Sequence, residues 1–231
     1  MIKNNSNYNE ALELFNKKYT HEELIAYLKE GSVIQRQFAA LNIDEINSKK
    51  EAEIFISNLV GVDGKIREAI ALKLVELTKN VPHFFMQKNI YNKFADATID
   101  IDGNVCRLAI NSANNIINDE KFAEYYSNEM LNIIEKALDE ISKFTFRDKK
   151  YKINKQIFKI YWCLEGLINF YPYSEQTKLQ NLLIKCSELP EYTIREKCAN
   201  LINIMPSNNT LKEIKNKLSN DENYYVRKIF E

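Results

Sequence analysis

Residues 62–77 constrain the fold of this chain more than any other segment, because related versions of the same pattern recur along the sequence. Asp63 and Gly64 favour a turn, and an Asp ahead of a helical run accepts hydrogen bonds from the unpaired amides of the first turn. Apolar residues then follow at three- and four-residue spacing, at Ile66, Ala69, Ile70, Leu74 and Leu77. The segment therefore predicts a turn followed by an amphipathic helix, and a neighbouring element must cover the apolar face of that helix.

Similar segments lie at residues 33–41, 102–110, 191–201 and 221–227, and a degenerate copy lies at residues 153–155. Each copy carries one basic residue, and in chain order these are Arg36, Arg67, Arg107, Lys155, Arg195 and Arg227. Successive basic residues are separated by 31, 40, 48, 40 and 32 positions. These intervals bracket the period of roughly 40 to 47 residues that is typical of tandem helical repeats.

With this pattern the chain resembles the HEAT-repeat family. In that family an acidic residue lies in the turn between two helices, and an aliphatic residue and an Arg open the second helix. The copy with Asp221 and Arg227 matches this pattern closely, and the copy with Asp63 and Arg67 nearly so. We interpret the six basic residues as structural, because a residue that recurs once per repeat is suited to hydrogen bonds between repeats.

The resemblance implies an all-α fold, a right-handed α-solenoid of about five to six HEAT-like helix pairs with an extra N-terminal helix. Armadillo-type and other helix-pair repeats are alternatives. The predicted units form a single domain, residues 1–231, and span approximately 8–46, 48–80, 82–118, 120–171, 174–205 and 207–231. The fourth unit is the least regular, with Asp148 and Lys155 in place of a clean acidic and Arg pair.

Composition supports helices and bounds the function. The 231 residues include only 5 Gly and 4 Pro, and such scarcity of helix breakers favours an all-helical chain. Lys plus Arg equals Asp plus Glu at 32 each. Proteins that bind nucleic acid through phosphates normally carry a basic excess, so this balance disfavours a nucleic-acid partner.

The four cysteines lie among apolar helix residues, at Cys106, Cys163, Cys186 and Cys198. Their spacing fits neither a zinc site nor a redox dithiol, so we predict buried thiols in a reducing compartment. Residues 1–6 lack the apolar core of a secretion signal, and no stretch approaches the ~20 apolar residues of a membrane span. The sequence therefore predicts a cytoplasmic protein without a membrane partner.

We predict no catalytic residue, no metal site and no cofactor. Only His21 and His83 are available as histidine ligands or bases, and in a repeat array they would lie far apart. His21 and Glu22 form one His-Glu pair, whereas the HEAT-like deoxyhypusine hydroxylases need several. The sequence also lacks a Gly-rich phosphate loop and a nucleophile elbow.

The candidate binding residues lie on one aromatic helix, predicted over residues 151–171. They are Phe158, Tyr161 and Trp162, of which Phe158 and Trp162 are four residues apart and lie off the main apolar stripe of that helix. Two interpretations follow: the rings pack against an adjoining repeat, or they form a contact patch of the kind in which Trp and Tyr supply binding energy.

The favoured function is a non-enzymatic scaffold that binds another protein or a peptide on its concave face, since repeat stacks build extended surfaces of this kind. The alternative is a DNA-processing enzyme, because the HEAT-like alkylpurine DNA glycosylases match this chain in length and class. Their motif needs several Trp residues and an Asp. This chain has one Trp, and no Asp lies one or two turns from Trp162.

Overall fold

A computed structural model describes residues 6–143 and 150–231, and of residues 6–8 only the backbone. Residues 1–5 and 144–149, including Asp148, lie outside the described part. Within that part the chain forms fourteen α-helices and no β-strand, which confirms the all-α prediction. The chain divides into two compact units, Met1–Phe122 and Ala123–Glu231, named unit 1 and unit 2 below.

Unit 1 is a succession of short helices joined by tight linkers. They are α1 (Ser6–Phe15), α2 (His21–Glu30), α3 (Val33–Asn42), α4 (Lys49–Ser57), α5 (Gly64–Asn80), α6 (Pro82–Phe85), α7 (Tyr91–Thr98) and α8 (Gly103–Asn115). A 3-10 helix lies between α6 and α7, at Lys88–Ile90. The second helices pack in sequence, α3 against α5 and α5 against α8, while α2 packs against α3 and α4. Unit 1 is therefore a stack of helix pairs.

Polar side chains at the helix starts set these linkers. Thr20 and Ser32 each form a capping box, with Glu23 and Gln35 respectively. At the start of α5, the Asp63 carboxylate accepts a hydrogen bond from the Lys65 amide at 2.9 Å. These residues satisfy the first amides of each helix, so each helix begins at a defined residue.

One predicted helix is divided in the structure. The sequence predicts a single helix over residues 82–97, but α6 ends at Phe85 and α7 begins only at Tyr91. The Gln87 side-chain amide donates to the Phe84 carbonyl at 2.5 Å and to the Lys49 carbonyl at 3.0 Å. These bonds occupy a carbonyl at the end of α6 and tie the break to α4.

Unit 2 repeats the arrangement with longer helices. It holds most of α9 (Glu120–Ser142), then α10 (Lys150–Phe170), α11 (Gln176–Cys186), α12 (Tyr192–Ile204), α13 (Asn209–Ser219) and α14 (Tyr224–Arg227). Two 3-10 helices follow α10 and α14, at Tyr171–Tyr173 and Lys228–Phe230. The second helices again pack in order, α10 against α12 and α12 against α14. They form one layer, which is named the second-helix layer of unit 2.

The buried side chains are almost all apolar. Large buried rings include Phe94 and Phe122 in unit 1, in edge contact at 5.3 Å between ring centroids, and Tyr126 and Phe170 in unit 2. All four cysteines are free and buried, which confirms the prediction of buried thiols. Across residues 6–143 and 150–231, none of the helices has the length and apolar character of a membrane span.

Candidate functional site

Four of the predicted basic residues share one structural position, the fourth residue after the N-cap of a second helix. Their N-caps are Ser32, Asp63, Glu191 and Asn223, and the basic residues are Arg36, Arg67, Arg195 and Arg227. Each guanidinium donates to a carbonyl just before its own N-cap, for example Arg36 Nε to Gly31 O at 3.0 Å. These four arginines thus hold the turn before each helix against the first residues of that helix.

Two of these arginines also join successive repeats. Arg67 on α5 reaches Asp100 ahead of α8, with its Nε 2.8 Å from Oδ2. Arg195 on α12 reaches Asp221 ahead of α14 by two parallel hydrogen bonds, of 2.7 and 3.0 Å. The hydrogen bond between the Arg195 guanidinium and Asp221 raises the pKa of Arg195 and lowers the pKa of Asp221. Both pairs are largely buried, so they belong to the packing between repeats rather than to an open site.

The acidic partner occupies a fixed place, two residues before the next N-cap. Asp100 precedes Asp102 by two residues, as Asp221 precedes Asn223. Arg36 finds no such partner, because the equivalent residue ahead of α5 is Gly61, which takes a positive φ of 75°. The arginine therefore joins repeats only where the following turn supplies this Asp.

The spacing of basic residues predicts Arg107 in this role, but the structure places Cys106 there. Cys106 is the fourth residue after the Asp102 N-cap, and its thiol donates to the Asp100 carbonyl at 3.1 Å, as the arginines do to theirs. Burial raises the pKa of the Cys106 thiol to about 12. Arg107 is one residue further on, so it is rotated about 100° around the helix and is exposed.

Lys155 also differs from the predicted role. It is exposed on α10 and makes no hydrogen bond or ion pair to any described residue. The residue two before the N-cap of α12 is Leu189, which offers no carboxylate to a basic side chain on α10. The junction between α10 and α12 therefore lacks an arginine and aspartate pair.

The three predicted contact residues lie together on α10. Phe158, Tyr161 and Trp162 are half-buried, and both other rings meet Trp162 edge-on, with centroids 6.1 Å away for Phe158 and 5.3 Å for Tyr161. The Trp162 indole Nε1 is buried and has no acceptor among the described residues. The rings thus support one another and leave part of their surface accessible.

Lys197 on α12 extends this group across the helix junction. Its ammonium lies 4.8 Å from the Tyr161 ring centroid and 2.7 Å from Glu165 Oε2. Burial alone would lower the pKa of Lys197, but the hydrogen bond and the charge of Glu165, together with the Tyr161 side chain, outweigh burial and the pKa is raised. The lysine is therefore held as a cation over the tyrosine ring.

A second aromatic group lies at the other side of α12, and the sequence pattern did not predict it. Tyr192 and Tyr225 are stacked, with centroids 6.3 Å apart and planes at 28°, and Tyr224 meets Tyr225 edge-on at 5.7 Å. All three are exposed. A signal was present, because Tyr192 and Tyr224 each stand three residues before a repeated arginine.

The accessible side of α12 connects the two aromatic groups. In an α-helix Lys197 lies about 140° around the axis from Tyr192, with Glu196 and Asn200 between them. Lys197 meets α10 at one edge of this sector, and Tyr192 meets α14 at the other. The second-helix layer of unit 2 therefore presents aromatic rings on both sides of a polar strip.

A groove of about 540 Å³ opens beside the first turns of α10. Its apolar lining comes from Ile153 and Ile157 on α10 and from Leu189 and Pro190 ahead of α12. Glu191, next to Tyr192, lines its edge. An apolar side chain fits such a space, so the groove adds a possible contact to the aromatic surface.

Among the described residues there is no group of three or more His, Cys, Asp or Glu arranged to hold a metal ion. His21 pairs with Glu51 at 2.8 Å, and His83 packs against the Phe84 ring. The two histidines therefore contact different residues.

Comparison with known proteins finds similarity in backbone structure and no match in sequence. No protein-family model and no curated protein matches the sequence. Among solved structures, the chain is similar to an engineered protein of the Northeast Structural Genomics Consortium, at 11% identity over 92% of this chain and 94% of that chain, with a TM-score of 0.49. It is also similar to a designed armadillo repeat protein, at 12% identity over 91% of this chain and 96% of that chain, with a TM-score of 0.49.

The class of protein follows from the packing of the helices. Within each unit, second helices pack on one another in chain order, and short linkers return the chain through a first helix. The chain is a helical repeat protein.

Proposed function

We propose that this chain is a non-enzymatic scaffold that binds another protein or a peptide on the second-helix layer of unit 2. The observation that carries the proposal is the half-buried group of Phe158, Tyr161 and Trp162 on α10. Rigid aromatic rings that are already packed against one another lose little conformational entropy on binding, so their accessible faces are suited to anchor a partner.

We infer further that the repeats are of the HEAT type and form a single domain, residues 1–231. Support comes from the arginine that follows the start of four second helices and, at two of these, from the aspartate in the next turn, as in Arg67 with Asp100 and Arg195 with Asp221. A cytoplasmic location is supported by the four free, buried cysteines, which are typical of reducing compartments.

Selection of a displayed random peptide library on the intact chain tests the proposed function. The selected peptides should bind the wild-type chain, and Trp162→Ala should weaken their binding about tenfold, as expected for a central aromatic anchor. Tyr151→Ala is the matched control, because Tyr151 is an exposed ring on the same helix, with 82% of its surface accessible. Equal affinity of the wild-type chain and of Trp162→Ala for every selected peptide would contradict the proposal.

A further inference from the structure

The Tyr192 and Tyr225 pair is the most exposed aromatic contact of unit 2 between neighbouring second helices. Tyr225 keeps 59% of its surface accessible and Tyr192 keeps 38%. Each ring packs against another ring rather than into the core. Their outer faces are therefore open to a partner, and they lie across the α12–α14 junction, where two repeats contribute to one surface.

The carboxylates around this pair are only partly engaged by cations of the chain. Glu222 is exposed over 89% of its side chain, and its nearest cation is the Arg195 guanidinium at 3.5 Å, which Asp221 already engages. Glu196, on the accessible side of α12, makes no ion pair or hydrogen bond to a described residue. Among the described residues, the Glu191 carboxylate accepts one hydrogen bond, from the Thr193 hydroxyl at 3.2 Å. Near the accessible rings, Glu191 and Glu196 thus have no ion pair to a described residue, and Glu222 keeps most of its side chain accessible.

The other cations near this pair have partners of their own. The Arg227 guanidinium donates to the Asp221 and Glu222 backbone carbonyls, at 2.5 and 2.8 Å. Lys197 is held by Glu165 at the far edge of α12, and Lys228 lies over the Tyr224 ring at 5.8 Å. Both lysines show that tyrosine rings of this layer already hold cations from their own chain. Tyr192 and Tyr225 offer the same chemistry to a cation from outside.

We propose that Tyr192 and Tyr225, with Glu222 and Glu196, bind a Lys or Arg side chain of a partner segment. The inference rests on the proposed function and assigns the chemistry of its ligand. A guanidinium or ammonium over the ring pair gains from the ring electrons and from the carboxylates together. A phosphate-rich partner would meet the same carboxylates with like charge, so the surface selects a cationic protein segment rather than a nucleic acid.

The test is an NMR titration of the intact chain with ¹³C-labelled tyrosine rings, assigned by single substitutions. The probe is a short Gly-Ser peptide with several Arg residues, and its matched control has Gln in place of each Arg. The Tyr192 and Tyr225 signals should shift saturably with the Arg peptide and stay in place with the Gln peptide. The exposed Tyr151 ring is the internal control and should not respond.

Substitutions separate ring contact from general charge attraction. Tyr225→Phe keeps the ring and should retain the binding of the Arg peptide, whereas Tyr225→Leu should weaken it about fivefold. Glu222→Gln should also weaken binding, while Glu76→Gln, an exposed glutamate of unit 1, should have no effect. Equal binding of the Arg and Gln peptides, or unchanged binding by Tyr225→Leu, would overturn the inference.

Failure of this inference differs from failure of the proposed function. In one outcome, selected peptides lose affinity for Trp162→Ala while none depends on an Arg or Lys residue or on Tyr225. That result would support the proposed function and contradict the cation site. If the Arg peptide shifts Tyr192 and Tyr225 while no selected peptide depends on Trp162, the cation site stands without the α10 anchor.

Discussion

The Arg67–Asp100 pair of unit 1 and the Arg195–Asp221 pair of unit 2 occupy equivalent positions but differ in geometry. Arg195 presents its fork to Asp221 through two hydrogen bonds, of 2.7 and 3.0 Å. Arg67 donates to Asp100 Oδ1 from Nη2 at 3.2 Å, while its Nε lies 2.8 Å from Oδ2 without an aligned hydrogen bond. Sequence position therefore determines which residues pair, but it does not by itself determine how well their hydrogen bonds are aligned.

Removing the arginines should give the largest difference between the two pairs. Arg195→Ala leaves the Asp221 carboxylate, with 8% of its side chain accessible, without its cation, and should cost about 3 kcal/mol of the free energy of unfolding. Arg67→Ala should cost less, about 2 kcal/mol, because one of its two contacts is poorly aligned. Urea denaturation followed by circular dichroism measures both.

Arg107→Ala is the matched control for these two variants. Arg107 is exposed, and among the described residues its guanidinium bonds only the Asn104 side chain, at 3.3 Å. Its loss should therefore change the free energy of unfolding by less than about 0.5 kcal/mol. A loss for Arg107→Ala as large as that for Arg195→Ala would show that the position after the N-cap does not determine the role of the arginine.

Acidification should affect the Arg195–Asp221 pair through the aspartate. The hydrogen bond from Arg195 lowers the pKa of Asp221 in the folded chain, so its contribution is present above the unfolded pKa of about 3.9 and is lost as the pH falls through the folded value. The free energy of unfolding of Asp221→Asn should therefore fall less than that of the wild type between about pH 6 and strongly acidic pH. Urea denaturation of both proteins at intervals of about one pH unit measures the difference. Parallel losses in the two proteins would remove Asp221 from the pH dependence.

Among the residues at this position after the N-cap, the smallest loss is expected for Cys106, which takes the arginine position at the start of α8. Its thiol fills the space of the first atoms of an arginine and bonds one carbonyl, so Cys106→Ala should cost about 1 kcal/mol of the free energy of unfolding. Burial and a pKa of about 12 should also protect Cys106 from iodoacetamide in the folded chain at pH 8. Rapid native-state alkylation of Cys106, located by mass spectrometry of digested protein, would contradict this account.

The sequence predicted the repeated helix pairs because periodic apolar residues and turn residues are local signals. It placed Arg107 wrongly for a physical reason. Spacing between basic residues tolerates an offset of one position, whereas a helix turns by about 100° over that offset. Counting from the N-cap Asp102 would have selected Cys106 instead.

The candidate surface was predicted only where its residues share one helix. Phe158, Tyr161 and Trp162 lie within two turns of α10, so their proximity follows from helix periodicity. Tyr192 and Tyr225 lie in different repeats, and their contact depends on how α12 and α14 pack. Sequence spacing alone does not determine how α12 and α14 pack.

Asp100 and Asp221 each make a second hydrogen bond, which affects how the repeats unfold. Asp100 accepts the amide of Asp102 at 2.9 Å, and Asp221 accepts the amide of Asn223 at 2.8 Å, so each carboxylate shapes its own linker while holding the preceding arginine. Fraying of such a linker releases the neighbour's guanidinium at the same time. Adjacent helix pairs are thereby coupled in their unfolding, and amide hydrogen exchange should report α12 and α14 opening together rather than singly.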